Sequence, residues 1–274
     1  MLTIFYCQIV LNANCKNMPV IHQSAVIENG AEIADDVIIG PFVYIGANVK
    51  IGSGTIVEHH ASVEGNTKIG SKNHIFPYAN IGGLTQDLKY KGANVGLEIG
   101  NENIFREYVT IHCGTDESSQ TIIGNRNAFL AYSHVAHDCR VGDRCIMSSL
   151  SALAGYVEVG NCVNIAWNSG VHQFCKVGDY AMIAGASKVT MDVLPFMIVE
   201  GMPAKTRAFN KVNLERNNFS QADIEAAKNV FRIVFHKNLS RTEIVLQLQN
   251  LQTENPKIYT PVLDFIQKST RGIC

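Results

Sequence analysis

The chain has 274 residues, enough for one elongated domain and a small second one. Its 23 Lys and Arg against 24 Asp and Glu leave a net charge of −1, which gives no global basic footprint for nucleic acid. An acidic partner must therefore be met by a local patch, and no apolar run approaches the roughly 20 residues of a membrane span, so no stable membrane insertion is expected.

Residues 1–20 read as an N-terminal extension. Leu2 to Leu11 is apolar, but no Lys or Arg precedes Lys16 and no small-residue cleavage signature follows. That is a poor secretory signal, and a frayed extension or initiation at Met18 explains it better. The eight cysteines include no C-x-x-C. Free thiols acting as small apolar side chains, in a reducing and cytoplasmic setting, are expected.

From Ile21 to Val189 an apolar residue recurs at every sixth position, with lapses only at Asp87, Ala93 and Glu117. Neither a helix nor a simple strand has that period, whereas a parallel β-helix of hexapeptide repeats does. Glycine follows the apolar position at 40, 46, 52, 70, 82, 100, 124, 142, 160 and 178, as a tight corner would require. A small or β-branched residue comes four positions after it, as at Ala25, Val43, Thr55, Cys139 and Cys145. Three hexads thus form one triangular coil, and coils stack at about 4.8 Å. Residues 21–195 are assigned to this prism, with insertions at 83–98 and 114–121 that map to its surface.

After Pro195 the pattern changes, and 196–274 reads as a small α-helical domain. Ser220-Gln-Ala-Asp223 opens a helix carrying Ile224, Ala227, Val230, Phe231 and Val234 at helical spacing. Ser240-Arg-Thr-Glu243 is a capping box ahead of Ile244, Leu246, Leu248 and Leu251. Asn255-Pro256 stops that helix, and a further one covers Tyr259 to Lys268.

A β-helix fills its own core, so chemistry must sit on an outer face, in the insertions or between prisms. His137, Gly155 and Gln173 lie one coil apart and stack in one column, with His172 beside it and His134 just before Val135. An imidazole, a backbone N–H unshielded by a side chain and a carboxamide would then converge within about 10 Å. That set suits acyl transfer, as general base, oxyanion donor and substrate orienter. Two other readings stay open. Exposed histidines such as His22, His59, His60 and His74 are ordinarily just solvated, and clustered imidazoles also bind zinc, as in γ-class carbonic anhydrases, metal-dependent hydratases built on similar prisms. No acidic residue or cysteine obviously completes a metal set here.

Five segments carry a family resemblance: Gly82-Gly-Leu-Thr-Gln-Asp-Leu-Lys-Tyr90, Ser133-His-Val-Ala-His-Asp-Cys139, Leu153-Ala-Gly155, Val171-His-Gln-Phe-Cys175 and Ser269-Thr-Arg-Gly-Ile273. Together they resemble the UDP-N-acetylglucosamine O-acyltransferases of lipid A biosynthesis over roughly residues 20–273. The resemblance implies a left-handed parallel β-helix, a homotrimer with sites in the grooves between subunits, and no cofactor or metal. It implies transfer of an (R)-3-hydroxyacyl chain from acyl carrier protein to the sugar 3-hydroxyl, the first step of lipid A biosynthesis.

In that family the histidine matching His137 removes the hydroxyl proton, and the N–H matching Gly155 holds the oxyanion. Asp138 is implied as the orienter of His137, although a solvated neighbour is equally open. Asp87 and Lys89 match sugar-nucleotide ligands, while His134, His172 and Gln173 line the sugar and acyl subsites. Asn210 and Arg216 match residues that meet nucleotide phosphates or the carrier arm. The position of Gly185 acts in the family as a stop for the acyl chain, and glycine there implies a donor of about C12 to C16. Tyr156 and Asn217 depart from the family's usual His and Arg. The related N-acyltransferase has an additional N-terminal globular domain that a prism starting at residue 21 leaves no room for. A purely structural prism would need neither the histidine column nor the Gln-Asp-Leu-Lys-Tyr insertion.

Overall fold

The computed structural model describes residues 19–274; of the 1–20 extension, residues 1–18 lie outside the described residues, and Val20 already belongs to the first strand. Short strands, most of two residues ending on an apolar register residue, recur along three sheets of 11, 9 and 8 strands, parallel throughout except for the last strand of the first. We call these face I (for example Ile38–Ile39), face II (Tyr44–Ile45) and face III (Lys50–Ile51). Successive strands visit the faces in turn, and each pairs in parallel with the strand one coil away, as in Val20↔Ile38 and Lys50↔Glu32. The chain is a parallel β-helix.

From Ile39 onward the register residues are almost fully buried, and Phe105 stacks on Phe129 at 5.0 Å. The small inward slot is partly polar. Asn73, Asn103 and Asn127 form a buried ladder in which each carboxamide oxygen accepts the backbone N–H of the coil above. Cys139, Cys145 and Cys175 fill the same kind of slot as buried free thiols. Burial pushes the first two up to about 12 and the third up to about 11, so none is a thiolate at neutral pH.

The glycine rule needs a different physical reason from the one its sequence suggests. At the corner between faces III and I, a Cβ on Gly70, Gly100, Gly124 or Gly142 would stand 2.6–2.8 Å from the carbonyl oxygen of the next coil. Close coil approach requires glycine there. The left-handed turn conformation falls mostly three positions after the register, chiefly on non-glycine residues such as Phe42, Tyr108, Asp138 and Tyr156.

Partner offsets are 18 residues in most coils, but 30 across the first insertion and 24 across the second. The insertions therefore add 12 and 6 residues, whole multiples of the hexad, which is why the apolar register keeps its phase through both. Each leaves the prism at the corner between faces II and III, from Gly83 to Gly96 and from His112 to Gln120.

The helical boundary lies later than residue 196. Strands Met197–Gly201 and Ala204–Phe209 form a hairpin that extends face I, and helices begin only at Lys211. The helices are α1 (Lys211–Arg216), α2 (Gln221–His236), α3 (Arg241–Leu251) and α4 (Pro256–Lys268). Reciprocal capping boxes at Ser220/Asp223 and Ser240/Glu243 start α2 and α3. Asn255 caps α4, with Pro256 as its first residue, so the pair that ends one helix begins the next. Leu214, Val230, Leu248, Ile258 and Val262 bury against Leu194 and Phe196 in a second core. The terminal segment returns to the prism. Ser269 donates to buried Asp192 at 2.7 Å, and Arg271 donates to the Thr190 carbonyl.

Candidate active site

The corner between faces II and III stacks the two insertions and then His137, Gly155 and Gln173 in successive coils. The coil pairing is direct. Tyr156 N–H donates to the His137 carbonyl and Phe174 N–H to the Gly155 carbonyl, both at 3.1 Å. A Cβ at Gly155 would lie 2.5 Å from both Cε1 and Nε2 of His137, so the imidazole rests in the space that a larger residue would occupy. The Gly155 N–H has no backbone acceptor among the described residues.

His137 is held on three sides. Its Nδ1 meets Asp138 Oδ2 at 2.9 Å, and the Tyr156 ring meets it edge-on at 5.3 Å. Asp138 takes the left-handed conformation that Asp tolerates, and its N–H donates to Thr121 Oγ1. The Asp138 side chain is only 5% exposed and the His137 side chain 12%. Nε2 points toward Asp87 Oδ2 at 3.9 Å. That separation is too long for a hydrogen bond, yet lets one inserted hydroxyl contact both groups.

Asp87 is fixed by its own loop. Its N–H donates to Thr85 Oγ1, its carboxylate accepts from the Lys89 N–H, and Thr85 bonds Thr115 of the second insertion at 2.6 Å. Tyr156 ties that second loop to the site by donating to Asp116 Oδ2 at 2.7 Å, while its ring stacks on Phe174. Burial and the Asp116 bond hold the Tyr156 phenol above its ordinary range, so it stays protonated.

Asp87, Lys89, His134, His137, Gly155, His172 and Gln173 all line one trough of about 830 Å³ along face II. Asn210 and Arg216 do not join them. They line a second cavity of about 460 Å³ on face I, with Arg144, Asn164 and Met182. Asn210 is buried and structurally engaged, accepting from the Asn213 N–H as the cap of α1 and donating to the Tyr180 carbonyl. Asn217 caps the other end, its carboxamide folded back onto Asn213. Gly185 is exposed at the corner between faces I and II, outside the trough, where an added Cβ meets only the Trp167 carbonyl at 3.4 Å.

One residue was not anticipated. His112 packs edge-on against His134 at 4.9 Å, is buried, and has an unpartnered Nδ1. Burial, reinforced by the neighbouring histidines, pushes it down to about 4. Burial also lowers His134, whose Nδ1 meets Thr110 Oγ1 at 2.7 Å, so both rings are neutral at neutral pH. Its signal was its place directly after register residue Ile111, obscured because the second insertion spaces that coil 24 residues from the next, as in Ile111↔Val135.

Comparison with known proteins now decides the family. A curated acyl-[acyl-carrier-protein]–UDP-N-acetylglucosamine O-acyltransferase from Thermodesulfovibrio yellowstonii is 43% identical over 255 residues, covering 93% of this chain and 98% of that one. The chain belongs to the UDP-N-acetylglucosamine O-acyltransferase family. The family's second-domain model matches residues 192–274, and the model for six bacterial transferase hexapeptide repeats matches 18–52 and 30–65. Among solved structures, the UDP-N-acetylglucosamine O-acyltransferase of Moraxella catarrhalis superposes with a TM-score of 0.89 at 41% identity, covering 92% of this chain and 98% of that one. The homologous protein of Acinetobacter baumannii gives 0.90 at 38%, covering 93% and 99%. Among the described residues no helix is long and apolar enough to cross a membrane.

Proposed function

We propose that this protein is a cytoplasmic acyltransferase that moves an (R)-3-hydroxyacyl chain from acyl carrier protein to the 3-hydroxyl of UDP-N-acetylglucosamine, opening lipid A biosynthesis. The observation that carries the reading is the seat of His137: Nδ1 on Asp138, ring over Gly155, and Nε2 facing an open trough beside Asp87. The Asp138 carboxylate selects the tautomer with Nδ1 protonated, which leaves the Nε2 lone pair free.

In the reaction Nε2 takes the proton of the sugar 3-hydroxyl as that oxygen attacks the thioester carbon. Asp87 holds the sugar so that the hydroxyl enters the gap in front of Nε2. The Gly155 N–H stabilises the oxyanion of the tetrahedral intermediate. Collapse breaks the carbon–sulfur bond, and the departing thiolate recovers the proton from His137. The imidazolium formed in between faces two carboxylates, Asp138 and Asp87. Neutral His134 lines the sugar and acyl subsites together with His172 and Gln173, and Lys89 supplies a cation for the nucleotide phosphates.

The two cavities lie on adjacent faces of one prism, which supports a trimer. A ring of three that sets face II of one subunit toward face I of the next brings Arg216 to the trough and closes on itself. The corners between faces I and II then meet at the three-fold axis. That corner carries an exposed stacked ladder of Phe42, His60, Tyr78, Tyr108 and Tyr132, with neighbouring rings 4.8–5.1 Å apart. Such a patch is what an interface core covers. Gly185 stands on the same corner and would reach the groove from the neighbouring subunit, leaving room for a long acyl chain.

The test is to incubate the purified protein with UDP-N-acetylglucosamine and 3-hydroxyacyl carrier-protein thioesters, before and after prolonged chelation, and to weigh the products. An O-acylated sugar nucleotide in both samples is expected. Transfer only to a 3-amino acceptor, or an activity restored by added zinc, would overturn the proposal.

A further inference from the structure

We propose that Lys188 ends the acyl-chain track and sets the longest donor chain the enzyme accepts. This deepens the acyl-transfer reading above and rests on it. The outward column of face II runs His134, Ala152, Gly170 and Lys188 in strict register, one coil per residue. All four line the same trough. Ala152 offers a methyl group and Gly170 nothing, and a Cβ added at Gly170 would meet no atom within 4 Å. The column above His134 is therefore open and carries no side-chain hydrogen-bonding group before Lys188, while His172 and Gln173 stand along its edge toward the His137 corner. An alkyl chain laid on that column gives up no hydrogen bond, whereas a polar chain would find no side-chain partner directly beneath it.

Lys188 interrupts this floor one coil beyond Gly170, with an exposed side chain. Three coils place it roughly 14 Å along the prism from His134. Its methylenes can cover the end of an alkyl chain while the ammonium stays in water. A longer chain must push past that ammonium and strip its water, which is unfavourable. Gly185 lies in the same coil, so in the trimer the two residues bound the groove at one height, from opposite walls. Gly185 leaves its wall open, and Lys188 makes the stop.

The experiment measures kcat/KM for an even-numbered series of 3-hydroxyacyl carrier-protein thioesters with wild type, Lys188→Ala, Lys188→Met and Gly170→Leu. The readout is the ratio between the first chain length that wild type rejects and its preferred length. Both Lys188 variants should raise this ratio at least about tenfold, because each buried methylene contributes a factor of roughly four. Lys188→Met keeps the bulk of the side chain without its charge and serves if the alanine variant does not fold. Gly170→Leu blocks the track one coil earlier and should shorten the preferred chain. An unchanged profile in the Lys188 variants, or a uniform loss across all chain lengths, would overturn the proposal. The latter result would instead mark Lys188 as a contact to the carrier arm. If wild type transfers none of the series, the acyl-transfer reading itself fails.

Discussion

At the scale of single residues, the proposed reaction concentrates on one imidazole. His137→Ala should lower kcat by about 10²–10⁴, the usual cost of losing a general base. The fold should survive, because His137 lies on a corner and contributes no register residue. Circular dichroism matching wild type, together with more than about a third of wild-type activity, would remove His137 from its role.

His112 makes a separate prediction about pH. The unfolded chain binds a proton at this residue near pH 6.5, but the folded chain does so only near 4. Between those values the unfolded state holds more protons, so stability falls as pH drops through the window, by up to about 3 kcal/mol. Urea unfolding of His112→Gln between pH 7 and pH 4 should show a flatter decline than wild type. Parallel declines would mean that His112 titrates normally.

The column of His137, Gly155 and Gln173 was legible because all three sit one coil apart with no insertion between them. Asp87 faces His137 across both insertions, and coil counting could not place it opposite Nε2. Its match to the family motif implied a sugar-nucleotide ligand, and the approach to Nε2 emerged only from the fold. Asn210 illustrates the opposite case, since the motif match did not reveal its task as the cap of α1.

Among the elements, the two insertions matter most because they build one wall of the site. Tyr156→Phe removes the bond to Asp116 but keeps the ring against His137 and Phe174. Losing one such bond costs about 1 kcal/mol, so KM for the sugar nucleotide should rise several-fold with kcat less affected. Unchanged kinetics would show that the second loop holds its place without Tyr156.

The corner between faces I and II yields a further prediction. Gly185→Met adds bulk where the wild-type residue leaves open space, and should shift the preferred donor toward a chain near C10. Blocking four methylenes could cost about 3 kcal/mol, or two orders of magnitude in specificity. An identical chain-length profile would make Gly185 merely a small corner residue.

The prism itself was read almost completely from the sequence, since its period is a direct consequence of three short strands per coil. The hairpin from Met197 to Phe209 and the six-residue α1 were missed. Both lie beyond the hexads and are too short for a periodic signal, and the hairpin's place in face I is set by pairing with Met182–Ile183 rather than by its own pattern.

For the molecule as a whole, the proposed trimer shares each site between two prisms. His137 lies on a trough at face II and Arg216 on a cavity at face I, and no single chain brings the two together. Mixing inactive variants tests this most directly. His137→Ala and Arg216→Ala subunits, each inactive as homotrimers, are co-expressed in equal amounts and the mixed trimers assayed. Random association in a closed ring leaves about a quarter of the grooves with both residues intact, so about a quarter of wild-type activity should return. If each site were complete within one chain, every groove in the mixture would lack one residue or the other. Mixed trimers with no activity above the parent variants would contradict the shared site.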